Sequence, residues 1–139
     1  MLNMDLARLQ STLNKYVEKT NAAPAKAAKS IMLTINRETI LQTPVDTGRL
    51  VGGWMISTGT PSSKTPPERK TKADETAAKS SKIQDNTNKI EAFKSGVLWL
   101  TNNVRYAKIV EFGAGRRVGK FMLSKAIQIA IQKVRNKIA

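Results

Sequence analysis

Thr43-Pro44 divides this chain more firmly than any other pair of residues in it. A residue before proline is pushed out of helical geometry by a clash with the proline ring, so a helix reaching Thr43 must stop there. Upstream, apolar side chains recur at helical spacing. Leu6, Leu9, Leu13 and Val17 step by three and four along one face, and Ala28, Ile31, Met32 and Ile35 form a second stripe. Asn21-Ala-Ala-Pro24 separates the stripes, and proline is tolerated as a first helical residue because the N–H it lacks would have no intrahelical partner. The spacing predicts a helix from about Leu2 to Thr20, with Asp5 in the first turn where a carboxylate favours the helix dipole. A second helix is predicted from Pro24 to about Gln42. Such stripes fit burial in a core or against another subunit better than membrane insertion.

Beyond the stop, Asp46-Thr-Gly48 reads as a turn. Asp can bond its own downstream backbone, and Gly48 tolerates positive φ. Leu50 to Thr58 is expected to be a strand, with Leu50, Trp54 and Ile56 on one face. Gly52-Gly53 within it suggests a bulge or the close approach of a neighbouring backbone. From Gly59 to about Lys72 there is no large apolar side chain. That stretch is expected to be a long solvated loop or interaction arm, disordered in the free subunit and ordered by a partner. A helix is expected from Ala73 to Phe93, capped by Asp74 or Thr71, although Asp85-Asn-Thr-Asn88 are poor helix formers. Val97 to Thr101 is a short β-rich run, and Tyr106 to Phe112 fits either a second strand or a short helix. Gly113 to Gly119 is a loop carrying two arginines. Met122, Ala126, Ala130 and Val134, flanked by Ile127, Ile131 and Ile138, mark a closing helix with a broad apolar face. The expected fold is therefore α+β, one domain over residues 1–139. A small antiparallel sheet is packed by a long N-terminal helical segment and a C-terminal helix.

Composition narrows the chemistry. Cysteine and histidine are both absent, which removes disulfides, thiolate nucleophiles, the common zinc sites and histidine-based acid–base pairs. The start Met-Leu-Asn-Met-Asp has no basic stretch followed by an apolar core, so no signal peptide is expected. No uncharged apolar run approaches the roughly 20 residues that span a bilayer. Gly113, Gly115 and Gly119 are wrongly spaced for a dinucleotide fingerprint. Asp46, in the turn after Thr43-Pro44, and Glu111, in the Tyr106 to Phe112 run, each read more simply as a turn or pairing residue than as half of a catalytic pair. The reading is that the chain is not an enzyme, holds no cofactor or metal, and has no catalytic residues.

Charge is the positive signal. With 24 basic and 10 acidic side chains the formal charge is +14. Between Arg105 and Ala139 nine basic residues face one acid, Glu111, so that segment alone supplies +8. A bias this large acts at long range on acidic partners, nucleic acid above all. Arg116, Arg117 and Lys120, in the glycine-rich loop, are candidates to reach phosphates or a neighbouring subunit, and phosphate contacts bind without reading sequence. Aromatic residues do not interleave with these charges, so a single-strand stacking platform is not expected. A free, histone-like DNA-binding protein is the alternative that composition supports.

Two tracts together carry a resemblance. Thr43-Pro-Val-Asp-Thr-Gly-Arg-Leu50 with Trp54 is the first, and Asn103-x-x-Tyr-Ala-x-x-Val-Glu-x-Gly113 is the second. Gly119-Lys-Phe-Met122 then opens the last helix. Their order and spacing, over roughly Thr43 to Ile131, resemble the neck and tail-completion proteins of tailed bacteriophages, the lambda gpZ-like minor tail proteins among them. The loop after Gly113 departs from that pattern: it is more basic and lacks the usual proline before the last helix. The resemblance implies a structural virion protein, made in the host cytoplasm, that forms a ring at the head–tail junction or the head-proximal tail end. Six copies are favoured and twelve possible, and DNA passes nonspecifically through the lumen. Adjoining head-closure and tail-tube or tail-terminator proteins would be its partners, with no membrane. Within that expectation Asp46 and Gly48 shape a turn, and Arg49 pairs with an acid across a subunit contact. Tyr106, Glu111 and Gly113 order the second tract, and Arg116, Arg117 and Lys120 face the lumen or a neighbour.

Overall fold

A computed structural model describes residues 6–21, 23–69 and 71–138. The fold is α+β, as expected. Helices α1 (Leu6–Thr20) and α2 (Pro24–Leu41) are followed by a helical turn α3 (Arg49–Gly52) and strand β1 (Trp54–Thr58). Then come α4 (Glu75–Glu91), β2 (Leu98–Asn102), α5 (Ala107–Phe112), the two-residue strands β3 (Gly113–Ala114) and β4 (Arg117–Val118), and α6 (Met122–Ile138). The first-turn role expected of Asp5 lies outside the described residues.

The break between α1 and α2 is built as the sequence suggests. Asn21 takes a left-handed φ of 53°, which asparagine tolerates better than most residues. Ala23 is extended and Pro24 opens α2. The buried stripe of α2 is Ala27, Ile31, Ile35 and Ile40, while Ala28 and Met32 lie half-buried at its margin. Across from it α6 buries Ala126, Ile127, Ala130, Ile131 and Val134, and Leu13 and Tyr16 of α1 pack on the same cluster. Ala126 and Ala130 add little bulk, which lets the α6 backbone approach α2 closely. A second cluster joins Ile40, Leu50, Val51, Trp54, Val104, Ala107 and Met122. Leu100 and Leu123 pack against both clusters, so the two form one continuous core.

The strand expected over Leu50–Thr58 is shorter and begins as a helical turn. Gly48 sits at φ +85°, and its carbonyl accepts from Gly52 N at 2.9 Å. Both Leu50 and Val51 are buried, which adjacent residues on a strand covered on one face cannot be. Only from Trp54 does the backbone extend. β1 then pairs antiparallel with β2 in the register Trp54↔Asn102, Ile56↔Leu100, Thr58↔Leu98. Tyr106 to Phe112, left open between strand and helix, resolves as α5. The loop expected over Gly113–Gly119 contains a minimal hairpin, Gly113↔Val118 and Ala114↔Arg117.

Helix α4 forms despite its asparagines. Asp74 caps it, its carboxylate accepting from Ala77 N at 3.1 Å. Asn86 is buried and donates both to Asn36 Oδ1 at 2.9 Å and to the Trp54 carbonyl at 3.0 Å. Tertiary bonding thus overrides its weak helix propensity. The described residues of the polar stretch 59–72 form no regular secondary structure, yet the stretch is tethered over its first half and just beyond its far end. Trp99 Nε1 donates to Gly59 O at 2.9 Å, Asn103 Nδ2 to Ser62 O and Lys64 O at 2.6 and 3.0 Å, and Ala73 N to Asp46 O at 2.8 Å.

Candidate functional site

The first tract is a joint between α2 and the sheet. Thr43 is wholly buried. Its hydroxyl donates to the Thr39 carbonyl at 2.7 Å and accepts from Trp54 Nε1 at 2.9 Å. Asp46 contributes through its backbone carbonyl. Its side chain is exposed and makes no hydrogen bond among the described residues, so the local side-chain bond that stabilises the turn comes from Thr47, whose hydroxyl accepts from Arg49 N at 3.4 Å. At Gly48 a Cβ would meet that of Ala73 at 3.2 Å in addition to the positive φ, so glycine is required on two counts. Arg49 is half-buried, its Nε has no hydrogen-bond partner, and it enters no ion pair among the described residues.

Asn102, the last residue of β2 and the one just before the second tract, joins that tract to the first. Its amide donates to the Leu50 carbonyl at 2.9 Å while its oxygen accepts from Val104 N at 3.1 Å. Gly53 leaves room for that side chain: a Cβ there would lie 2.5 Å from Asn102 Oδ1 and 2.6 Å from Val104 Cγ2. The close approach is therefore made by the side chains of Asn102 and Val104 rather than by the neighbouring backbone expected at Gly52-Gly53, and only Gly53 is crowded.

Glu111 is buried and caps α6. Its two carboxylate oxygens accept from Leu123 N at 2.9 Å, Ser124 N at 3.2 Å and Ser124 Oγ at 2.8 Å. The carboxylate thus satisfies N–H groups that have no partner within the helix, at the end where the dipole favours negative charge. Ordinary pairing with a basic neighbour is not its role. Gly113 turns the chain out of α5 at φ +83°, and the hairpin returns it. At Gly119 a Cβ would meet the Glu111 carbonyl oxygen at 2.5 Å. That tight return allows Lys120 N to donate to Val110 O at 2.7 Å and Phe121 N to Glu111 O at 3.0 Å. Tyr106 stands at the start of α5, where its carbonyl accepts from Val110 N at 3.1 Å, and its ring is partly exposed.

Between these anchors the hairpin projects with Arg116 and Lys120 exposed and in no ion pair among the described residues. The side chain of Arg117 lies outside the described residues. Val118 is 84% exposed and shares a shallow depression with Pro44, Ile109 and Lys120, so the start of the first tract adjoins the hairpin. Asp46 and Gly48 instead lie toward the polar stretch, beside Ala73 and Arg69. Near them a depression of about 480 Å³ is lined by Lys64, Arg69 and Lys82 against a single carboxylate, Asp85. Burial pushes the Lys82 ammonium below the ordinary lysine range. Lys89 and, more weakly, Arg69 add to that, while Asp85 opposes it.

The expected site residues thus fall into two groups, a turn beside the polar stretch and a cap with a basic hairpin. Sequence reasoning missed Asn102, the Asn36–Asn86 pair and Lys82. A signal existed for Asn86, which falls at helical spacing between Ile83 and Ile90 and so had to face the core. Among the described residues no group of His, Cys, Asp and Glu side chains is arranged to hold a metal, and no helix is long and apolar enough to cross a membrane. No family model, curated protein or solved structure matches the chain.

Proposed function

We propose that this chain is a structural virion protein of a tailed phage. It forms a ring at the head–tail junction or the head-proximal end of the tail, and DNA passes through the lumen. The observation that most supports this reading is the structural use made of the two tracts that carry the resemblance, with Asn102, just before the second, joined to the first. Thr43 holds Trp54, Gly53 admits Asn102, and Glu111 seats the last helix. The motif residues therefore serve one scaffold rather than a reaction. Contact is left to the exposed basic hairpin and to Arg49, which is half-buried and enters no ion pair among the described residues. A closed ring requires two different patches that meet head to tail. Six copies suit the tail and twelve the head side.

Electron microscopy of particles made without the protein tests this. Heads and tails left unjoined, or tails with abnormal ends, are the expected result. Normal infectious particles would overturn the proposal. A second reading, a free histone-like DNA-binding protein, draws on the +14 charge and on Arg116 and Lys120, which enter no ion pair among the described residues.

A further inference from the structure

We infer that the open edge of β2, with the apolar groove beside it, receives an extended acidic segment of another protein as a third strand. The register of the ladder shows which groups are available. Gly59 N donates to Val97 O at 2.8 Å, one step beyond the Thr58↔Leu98 pair. Hydrogen-bonded and non-hydrogen-bonded pairs alternate in an antiparallel ladder. The pairs 57/99 and 55/101 are therefore bonded, while Leu98, Leu100 and Asn102 turn their N–H and C=O groups away from β1. The matching edge of β1 is covered by α4, since the Trp54 carbonyl accepts from Asn86. No described bond covers the β2 edge.

Sheet edges are ordinarily blunted by lysine, proline, a bulge or a covering element. β2 reads Leu-Trp-Leu-Thr-Asn, with neither charge nor proline. Alongside it runs a groove of about 570 Å³, bounded by α5 and the first turn of α6 and lined by Trp99, Leu100, Phe112 and Leu123 among others. Trp99 remains 37% exposed. An added strand would bond to the backbone of Leu98, Leu100 and Asn102 and place alternate side chains in this groove.

Charge selects the occupant. Lys108 lines the groove and Arg105 precedes the same short helix, while the carboxylate of Glu111 is engaged with the α6 N-terminus. A second copy carries +14 and offers no acidic strand among the described residues: β1 and β2 are uncharged and β4 contains an arginine. An acidic, alternately apolar segment of a different protein fits both the edge and the rim. This inference does not depend on the ring, because it concerns one edge of one subunit.

Amide hydrogen exchange of the full chain, followed by NMR, tests it with two short synthetic peptides, one alternating glutamate with valine and one alternating lysine with valine. The glutamate peptide should slow exchange at Leu98, Leu100 and Asn102 by about tenfold or more, leaving Trp99 and Thr101 little changed, as expected for a newly paired strand edge. The lysine peptide should not, and Lys108→Glu, an exposed substitution, should weaken the preference for the glutamate peptide. No protection by the glutamate peptide, or equal protection by both, overturns the inference. So does protection that grows with protein concentration in the absence of peptide, which would identify a second copy as the occupant.

Discussion

The indole N–H of Trp54 donates to the hydroxyl of Thr43 at 2.9 Å, both residues being buried. The bond ties the end of α2 to the first residue of β1 and fixes where the sheet begins. Thr43→Val keeps the shape but leaves a buried indole N–H unpaired, which costs about 1–3 kcal/mol. Thr43→Ser keeps the acceptor, and its loss should be about 1 kcal/mol or less, from one buried methyl. Urea denaturation of the two variants checks the difference. Equal losses would show that the methyl matters and the bond does not.

Glu111 makes a second testable joint. Glu111→Ala removes the acceptor of two backbone N–H groups and of the Ser124 hydroxyl at the start of α6. Bonds to a charged acceptor contribute about 1.5–3 kcal/mol each, with incomplete additivity. The variant should lose at least about 2 kcal/mol, with exchange at Leu123 and Ser124 rising before the rest of α6. Ser124→Ala removes one of the three bonds and should cost about 1 kcal/mol.

Where the fold was legible, the signal was local. Pro44 ended α2, and a four-residue apolar repeat announced α6. The long-range relationships had no such signature. Trp54 lies eleven residues beyond Thr43, and Glu111 reaches across a hairpin to a helix that had not yet begun. Neither spacing belongs to a helix or strand period. The α3 turn was misread because Leu50, Trp54 and Ile56 satisfy a strand period while the backbone at Gly48 dictates a helical start. The basic hairpin was legible as charge, since charge counts survive without coordinates. The β2 edge was not, because whether an edge is covered depends on which elements pack beside it, as α4 does beside β1.

Adjacent glycines should respond oppositely to the same change. Gly52→Ala meets nothing closer than Pro66 Cβ at 3.9 Å, at the end of a helical turn. It should be neutral or stabilising by up to about 1 kcal/mol through the unfolded chain. Gly53→Ala would place a Cβ 2.5 Å from Asn102 Oδ1. It must displace the Asn102 side chain and lose the bond to Leu50, at a cost of about 2 kcal/mol or more. Thermal melts of the pair decide the point.

Lys82 gives a pH dependence with a definite sign. Its folded-state pKa lies below the ordinary lysine value, chiefly through burial. Between those two pH values the unfolded chain binds more protons than the folded one, so stability from this residue rises with pH across that window. Below the folded-state value the ammonium is charged in both states and its burial penalty is present in full. Lys82→Met should therefore be more stable at neutral pH, by less than about 1 kcal/mol given solvent screening at a half-exposed site. It should also flatten the alkaline rise in stability measured by denaturation at a series of pH values.

The hairpin separates the two functional readings. A free DNA-binding protein neutralises several phosphates as a monomer, and its affinity falls steeply with salt, by about 0.9 log units per log unit of salt for each phosphate contacted. A ring subunit meets DNA only in the lumen, so the monomer should bind duplex DNA weakly and nonspecifically. Arg116→Ala with Lys120→Ala removes two exposed charges that enter no ion pair among the described residues. On the free-binder reading the pair should reduce the salt slope by about two, uniformly across sequences. On the ring reading the monomer's weak binding should change little, while particle assembly or DNA ejection suffers. Fluorescence anisotropy with labelled duplex over a range of salt, read beside particle yield and infectivity, gives both outcomes from one variant. A steep slope in the unmodified monomer, lost in the double variant with particles unaffected, would overturn the ring reading in favour of the free DNA-binding protein.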